Sequence, residues 1–264
     1  MGKKTVVFGS FVVDLMGRTP HLPAAGETVK GTVFKMGPGG KGFNQGVAAH
    51  KAGADVTMVT KLGRDTFADI ALNTMKELGM KQDRILYSDD TETGCALIMV
   101  DENTSQNEIV VILGSCNTIS DAEVDSLEDL LDGCEYMLTQ LETNVSSVER
   151  IVDIACKKGV KVILNTAPVQ PISDELLSKV DLITPNEVEA EILTGVKVDS
   201  EEAADKAAEW FFGKGVKRVL ITLGGRGVYI NTGDKKGIIP AYKVNAIDTT
   251  GAGDSFIGAF LYQL

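Results

Sequence analysis

The sequence predicts a three-layer α/β fold, with a mostly parallel central sheet covered by helices on both faces. The first observation is the repeated alternation of short β-branched runs with longer stretches whose apolar residues recur at helical spacing. The second is that runs such as TVVFGS (5–10) are almost continuously apolar, as strands buried on both faces of a parallel sheet are. The third is a composition of 44% hydrophobic and 24% charged residues, which is ordinary for a globular chain of 264 residues.

The N-terminal part begins with the buried strand at 5–10 and continues with four further predicted elements. Residues 27–35 (ETVKGTVFK) alternate in character and predict a half-exposed strand. Residues 42–54 are rich in small side chains and predict a helix that ends near a glycine, and 56–63 predict a strand. Residues 67–79 carry apolar side chains at helical spacing and stop at a glycine, which is a common helix end.

A predicted hairpin interrupts this alternation. Residues 93–101 (TGCALIMVD) and 108–113 (EIVVIL) are strand-like, with the polar sequence ENTSQN between them. Together with 27–35 they are expected to form a small separate sheet.

The alternation then returns. Ser120 and Glu123 form the capping-box pattern S-x-x-E, which predicts a helix through about Leu131. The following predicted elements are a strand at 136–142, a helix at 145–159, strands at 160–166 and 180–187, a helix at 201–215 and two strands joined by a glycine turn within 216–230.

Polar side chains follow several of these predicted strands directly. Asp14, Glu142, Asn186 and Thr222 each lie just beyond an apolar run. Because ligands of such sheets bind beyond the carboxyl ends of the strands, we expect these side chains to line one site.

The charge balance excludes some classes of function. Twenty-six basic and 37 acidic residues give a formal charge of −11, which argues against nucleic acid or an anionic membrane as the main partner.

The four cysteines are far apart and form no CxxC pair, so neither a zinc site nor a disulfide framework is expected. The N-terminus has no signal-peptide core and no run approaches the length of a membrane span, which predicts a soluble, cytoplasmic protein.

The loop GPGGKGFNQG (37–46) contains the spacing G-x-G-x-x-G. A nicotinamide-dependent oxidoreductase is disfavoured because the first buried strand ends well before this loop. The loop is either a structural turn or a backbone nest that presents Lys41 and Asn44 to a polyhydroxylated ligand. A sugar needs paired donors and acceptors, and an Asn amide offers both.

In TPNEVEAE (184–191), Asn186 and Glu189 lie three residues apart at a predicted helix start, and therefore on one face. Either Asn186 caps the helix, or the pair contributes to a Mg²⁺ site, since Mg²⁺ keeps most of its water and needs few protein ligands. In ITLGGRGVYI (221–230), Gly224, Gly225 and Gly227 form either a structural turn or a bare backbone surface for a nucleotide.

The stretch DTTGAGDSF (248–256) places small residues between two aspartates at the start of an apolar helix. The backbone N–H groups of 251–253 would form an anion site with no side chain in the way. Asp254 is then either an N-cap or the group that accepts the proton of an attacking hydroxyl. Asp248 and the backbone around Thr250 could hold a cation.

Taken together, these motifs resemble the ribokinase branch of the PfkB sugar-kinase family. The resemblance extends from VVFGS to the last residue, and DTTGAGDSF is its most specific part. The other markers are Asp14, GGKGFNQ, TGCAL, QLE at 140–142, NTAP at 165–168, TPNEVEAE and VLITLGGRGV.

The resemblance implies one domain, 1–264, in which a small β-sheet lid covers the sugar, with lid strands near 10–18, 27–36 and 93–113. It implies ATP, Mg²⁺ and K⁺ as cofactors, and a homodimer formed through the lid sheet, with no nucleic-acid or membrane partner. Asp254 would be the catalytic base, and Gly251, Ala252 and Gly253 the anion hole.

The same resemblance assigns the remaining site residues. The sugar contacts would be Asp14, Gly40, Lys41, Asn44, Glu142 and Asp254. The nucleotide would lie against Asn186, Thr222, Gly224, Gly225, Arg226, Gly227 and Gly253. Asn186 and Glu189 would arrange Mg²⁺ largely through water, and Asp248 and Thr250 would form part of a K⁺ site.

The sequence departs from the family pattern in two places. Ribokinases usually carry Asn two residues before the N-terminal sugar aspartate, and Val12 occupies that position here. Losing an amide where hydroxyls are read is expected to change sugar selectivity. The family also usually continues with further helices beyond the position of Leu264, so the C-terminal segment is expected to be missing.

The sequence therefore predicts an ATP-dependent kinase for a primary hydroxyl of a pentose, with D-ribose converted to ribose 5-phosphate. A kinase for another sugar or a nucleoside, and an inactive sugar-binding protein, remain as alternatives.

Overall fold

The computed structural model describes residues 4–104, 106–246 and 249–264. The strands are β1 (Lys4–Phe8), β2 (Val12–Thr19), β3 (Val33–Gly39), β4 (Asp55–Val59), β5 (Lys61–Leu62), β6 (Leu86–Tyr87), β7 (Thr93–Asp101), β8 (Asn107–Gly114), β9 (Tyr136–Thr139), β10 (Lys161–Leu164), β11 (Leu182–Ile183), β12 (Val219–Thr222), β13 (Val228–Asn231) and β14 (Lys236–Ile239). The helices are α1 (Lys41–Ala52), α2 (Thr66–Leu78), α3 (Asp121–Asp125), α4 (Val145–Lys157), α5 (Asp174–Ser178), α6 (Glu187–Thr194), α7 (Glu201–Gly213) and α8 (Ala252–Gln263).

The central sheet has eight strands in the order β14-β13-β12-β11-β10-β9-β1-β4. The six strands from β12 to β4 run parallel, and β13 and β14 add an antiparallel edge. Successive residues of β1 enter two different apolar cores: Val6 belongs to the core that contains Val148 of α4, and Val7 belongs to the core that contains Phe43 of α1 and Ile257 of α8. This arrangement confirms the predicted three-layer α/β fold.

A separate sheet has four strands in the order β3-β2-β7-β8, with β2 and β7 parallel and the outer pairs antiparallel. The predicted hairpin is present as β7 and β8. The third predicted strand is misplaced, because β3 begins at Val33 instead of near residue 27. Arg18 pairs with Val33 and β2 ends one residue later, so the chain before Thr32 has no neighbouring strand to bond with.

Helices α1 and α8 approach each other closely. A Cβ atom on Gly258 of α8 would lie 2.3 Å from the backbone oxygen of Gln45 in α1. Only hydrogen at that position allows the two backbones to meet. Because Asp254 lies one turn before Gly258, this packing brings the start of α8 against the polar side chains of α1.

Within the part of the chain that the structure describes, no helix has both the length and the apolar character needed to cross a bilayer.

Candidate active site

Asp254 lies in the first turn of α8 and is buried against α1. The Gln45 amide donates to its Oδ1 (2.9 Å), and the Asn44 amide lies 3.5 Å from its Oδ2. Burial raises the pKa of Asp254, while the hydrogen bond from Gln45 and the positive charge of Lys41 oppose that rise. The result is a carboxylate that is held firmly at Oδ1 and more loosely at Oδ2, and that is a stronger base than an exposed aspartate.

The turn that precedes Asp254 presents bare backbone. Gly251 has a φ of 68°, in the left-handed region that favours glycine, and a Cβ on Gly253 would meet nothing within 4 Å. Ala252 N–H already bonds to the Thr249 oxygen, so among the described residues the N–H groups of Gly253 and Asp254 remain available to a ligand. Two donors at a helix N-terminus are the kind of group that can bind an anion. The sequence predicts the N–H groups of 251–253 for this role, and of these that of Ala252 is engaged with Thr249.

This terminus opens on a hollow of about 150 Å³. Its walls bring together side chains from distant parts of the sequence: Lys41, Asn165, Asn186, Glu189, Thr222 and Asp254. Predicted sugar, metal and nucleotide residues therefore converge at one place beyond the carboxyl ends of the parallel strands.

A second hollow, of about 330 Å³, lies under the four-stranded sheet. Asp14 of β2 lines it together with Thr249 and Thr250, which precede α8. Burial, the charge of Glu142 and the charge of Asp254 raise the pKa of Asp14 to about 6. Asp14 therefore lies within electrostatic range of two further carboxylates, Glu142 and Asp254, and its own oxygens can accept hydrogen bonds from hydroxyl groups of a ligand in this hollow.

Glu142 holds the glycine loop against the segment after β1. Its Oε2 accepts hydrogen bonds from Ser10 Oγ (2.5 Å) and from the Lys41 backbone N–H (2.7 Å). Gly40 has a φ of 90°, and a Cβ there would lie 2.8 Å from Phe11 Cα. The loop therefore lies directly on the segment between β1 and β2, and its glycines serve this close approach.

Asn186 and Glu189 form a reciprocal capping box at the start of α6. Glu189 accepts from the Asn186 backbone N–H (3.0 Å), the Asn186 amide (2.9 Å) and Thr166 Oγ1 (3.0 Å). A carboxylate can accept about four hydrogen bonds, so Glu189 keeps capacity for one more donor, such as a water molecule. Both interpretations of the pair, helix cap and ligand-facing group, are compatible with this geometry.

The glycine turn after β12 has an internal scaffold. The Arg226 guanidinium donates to Glu187 (2.5 Å) and to the backbone oxygens of Val198 and Asp199 (2.8 Å each). Gly227 has a φ of 104°, and a Cβ there would lie 2.0 Å from the Ile239 oxygen. Cβ atoms on Gly224 and Gly225 would point into open space, so the exposed surface of this turn is backbone.

One predicted site residue cannot be located. Asp248 lies outside the described residues. The structure also adds four polar residues that the sequence argument did not select: Ser10, Gln45, Asn165 and Thr166. Asn165 directly follows β10 and Ser10 lies two residues after β1, so the position at a strand end that identified Glu142 and Asn186 could also have identified them.

Comparison with known proteins gives consistent matches. The model of the pfkB family carbohydrate kinases matches residues 3–264. The chain is 43% identical to a ribokinase of Haemophilus influenzae, over 100% of this chain and 86% of the relative. It is 38% identical to a deoxyribokinase of Salmonella typhi, over 97% of this chain and 84% of the relative. A solved structure of Arabidopsis thaliana ribokinase complexed with ribose and ATP has a TM-score of 0.89 at 29% identity, with 99% of this chain and 86% of that chain covered.

Proposed function

The chain belongs to the pfkB family of carbohydrate kinases, and we propose that it transfers the γ-phosphate of ATP to the 5-hydroxyl of D-ribose. Family membership confirms the resemblance inferred from the motifs and the predicted class, a phosphotransferase with an alcohol acceptor. The choice of ribose is supported by relatives named ribokinase and by the Arabidopsis structure complexed with ribose and ATP.

One observation carries the proposal: a buried carboxylate adjoins free amide donors at the start of α8. As the sugar hydroxyl attacks the γ-phosphorus, its proton moves to Asp254, and the bond between the γ-phosphorus and the bridging oxygen of ADP breaks. Phosphoryl transfer requires positioning and charge stabilisation more than a strong base, which suits an aspartate. The N–H groups of Gly253 and Asp254 would stabilise negative charge on the transferring group.

The sugar would lie between the glycine loop and the small sheet. Asp14 and Glu142 offer acceptors, Lys41 offers a donor, and the Asn44 amide offers both. Gly40 brings backbone within reach of the same space because it carries no side chain. The nucleotide would lie on the other side of Gly253, against Asn186, Thr222 and the backbone of residues 224–227, with Arg226 fixing that turn from behind.

Mg²⁺ would be placed by Asn186 and Glu189 through water. Within the described ranges, no group of three or more His, Cys, Asp or Glu side chains is arranged to hold a metal ion. The spare acceptor capacity of Glu189 fits a hydrated ion whose other ligands are phosphate oxygens. Bound Mg²⁺ would supply neutralisation of charge on those phosphates.

K⁺ dependence is proposed from the resemblance alone. Of the two predicted K⁺ residues, Thr250 adjoins the larger hollow, and Asp248 lies outside the described ranges. A cytoplasmic location likewise remains a prediction from the sequence.

A second candidate substrate is 2-deoxyribose. Val12 is buried on β2, two residues before Asp14 and therefore on the same face of the strand. It offers an apolar surface where ribokinases usually carry an amide, so one hydroxyl of ribose loses a potential partner. The 38% identity to a deoxyribokinase makes this comparison worth measuring.

A homodimer through the small sheet is supported by the face that points away from Asp14. The cross-strand row Met36, Leu15, Leu97 and Val110 lies on that face, next to Phe34 and Ile112. All of these except Leu15 are exposed large apolar residues in the single chain. Contiguous exposed apolar surface of this kind is typical of an interface, and a second copy would cover it.

The test is a panel of ribose, 2-deoxyribose, other pentoses and nucleosides, assayed for ADP release with and without K⁺. Turnover with ribose well above that of the other sugars supports the proposal. A higher kcat/KM for 2-deoxyribose than for ribose would identify 2-deoxyribose as the substrate instead. Sugar binding in calorimetry without any ADP release would instead indicate an inactive sugar-binding protein.

A further inference from the structure

A row of side chains lies at the carboxyl ends of three neighbouring strands. Thr184 follows β11, Asn165 follows β10 and Gln140 follows β9, each directly after the last strand residue. All three are buried. Because adjacent parallel strands end at the same edge of a sheet, these residues lie next to each other beneath the site.

Gln45 of α1 joins this row to the base. Its side chain is 0% exposed. Its Nε2 donates to Asn165 Oδ1 (3.0 Å) and to Asp254 Oδ1 (2.9 Å), while its Oε1 accepts from Gln140 Nε2 (2.7 Å). Both N–H groups and the oxygen of this amide are therefore engaged.

The direction of these hydrogen bonds is set at one end by the backbone. The Thr184 carbonyl can only accept, and it accepts from Asn165 Nδ2 at 2.7 Å. Asn165 must then present its oxygen to Gln45, and Gln45 must present its Nε2. Gln140 supplies a donor on the opposite side of Gln45. If the Gln45 amide were reversed, its N–H groups would face the Nε2 donor of Gln140, and its oxygen would face the two acceptors, Asn165 Oδ1 and Asp254 Oδ1.

We propose that Gln45 is a positioning residue that holds Asp254 as the proton acceptor, and that Asn165 and Gln140 keep its amide in the donating orientation. The proposal rests on the role of Asp254 given above. Gln45 holds Oδ1 at 2.9 Å, whereas Oδ2 has only the longer contact with the Asn44 amide (3.5 Å), so Oδ2 is the oxygen more open to receive the sugar proton. The hydrogen bond also stabilises the ionised form in a buried site.

The neighbouring backbone leaves this arrangement little freedom. A Cβ on Gly9 would lie 2.0 Å from Gln140 Oε1, so only glycine after β1 admits that amide. On the other side, Gly258 lets α8 lie against the backbone of Gln45. The amides are therefore confined between β1 and α8.

Other charges act on Asp254 as well. Lys41 of α1 lowers its pKa, and Asp14 of β2 and Glu189 of α6 lie at the adjoining hollows. These groups remain in a Gln45 variant, so a change in the titration of Asp254 there reports the lost amide. Without that donor, we expect the pKa to rise because burial is less opposed.

The experiment compares Gln45→Met and Gln140→Met with the parent chain. Gln82→Met serves as the matched control, because Gln82 donates to the Leu72 carbonyl (2.6 Å) away from the site. Carbon-13 NMR of Asp-labelled protein follows the carboxyl titration of Asp254, which is assigned with Asp254→Asn, and the pH profile of kcat is measured in parallel.

Gln45→Met is expected to raise the pKa of Asp254, because burial is then less opposed, and to reduce kcat about 10- to 100-fold. Gln140→Met should move both quantities in the same direction by less, although it forms no hydrogen bond with Asp254 in the described chain. Gln82→Met should change neither.

A fall in kcat without a shift of the Asp254 titration in Gln45→Met would show a merely structural role and overturn the proposal. If Gln45→Met does not fold, Gln140→Met decides: an unmoved titration overturns the proposal and a raised pKa supports it. Because the NMR titration needs no turnover, it also separates this inference from the kinase assignment, which fails only if the parent chain phosphorylates no sugar.

Discussion

Asp14→Asn should stabilise the protein at pH 8 while weakening its binding of sugar. The pKa of Asp14 rises from an ordinary 3.8 to about 6 because of burial and the charges of Glu142 and Asp254. A difference of this size corresponds to about 3 kcal/mol of unfolding free energy. Since the side chain keeps some solvent access, screening reduces the expected effect to about 1–2 kcal/mol.

The sign follows from linkage. A carboxyl group with a raised pKa in the folded state binds its proton more tightly there than in the unfolded state. Its ionised form therefore costs stability above pH 6, and this cost fades as the pH falls toward 3.8. A neutral Asn removes the cost, so the gain from Asp14→Asn should be full at pH 8 and about half as large at pH 5.

Thermal unfolding at the two pH values measures this gain. For a chain of this size, 1–2 kcal/mol corresponds to a rise in Tm of about 2–8 °C at pH 8. Asp90→Asn controls for the loss of one negative charge, because Asp90 is exposed and lies in a bend away from the site. A lower Tm for Asp14→Asn at pH 8, or a gain that does not shrink at pH 5, would refute the argument from buried like charges.

Three further predictions concern packing, the sheet face and the sugar pocket. Gly258→Ala should lower the free energy of unfolding in urea by about 1–3 kcal/mol and lower kcat, because its methyl group would meet the Gln45 backbone. The control is Gly213→Ala, whose Cβ meets nothing within 4 Å and which should cost less than half as much stability. Equal costs would contradict the close packing of α1 and α8. Phe34→Glu should shift the mass measured by light scattering toward that of the monomer, since Phe34 is 69% exposed on the apolar face. Lys35→Glu is the control, because Lys35 is exposed on the opposite face of β3 and its replacement should leave the mass unchanged. An unchanged mass for Phe34→Glu would place any dimer contact elsewhere. Val12→Asn should raise the preference for ribose over 2-deoxyribose in kcat/KM by about 10-fold or more, and an unchanged ratio would remove Val12 from sugar selection.

Much of the fold was predictable because its signals are local. The buried strand predicted at 5–10 is present as Lys4–Phe8, and the hairpin predicted at 93–113 is present as β7 and β8, because both depend on short-range pattern. The cap formed by Ser120 and Glu123 is also present, but the helix that it begins ends at Asp125 instead of near Leu131. The start of β3 was not predictable in this way. It depends on where β2 ends. Residues 27–31 alternate in character as a strand would, but the register of β2 with β3 stops at Val33, so they have no strand beside them to pair with.

The candidate site shows the same distinction between residues with a local sequence signal and residues that depend on a distant partner. Residues just beyond apolar runs, such as Glu142 and Asn186, could be selected from sequence because strand ends mark ligand sites. Gln45 could not, since its partner Asp254 is 209 residues away and only the packing of α1 on α8 brings them together. Arg226 looked like a nucleotide contact in sequence, and its structural partners are Glu187 and two backbone carbonyls.

The most direct test of the account is the rate of ADP release by Asp254→Asn at saturating ribose and ATP. Asn keeps the shape of the side chain but cannot accept the sugar proton as a carboxylate does. We expect turnover to fall by about 10²–10⁴-fold, with ribose affinity close to that of the parent chain. Turnover similar to that of the parent chain would contradict the assignment of Asp254 as the catalytic base.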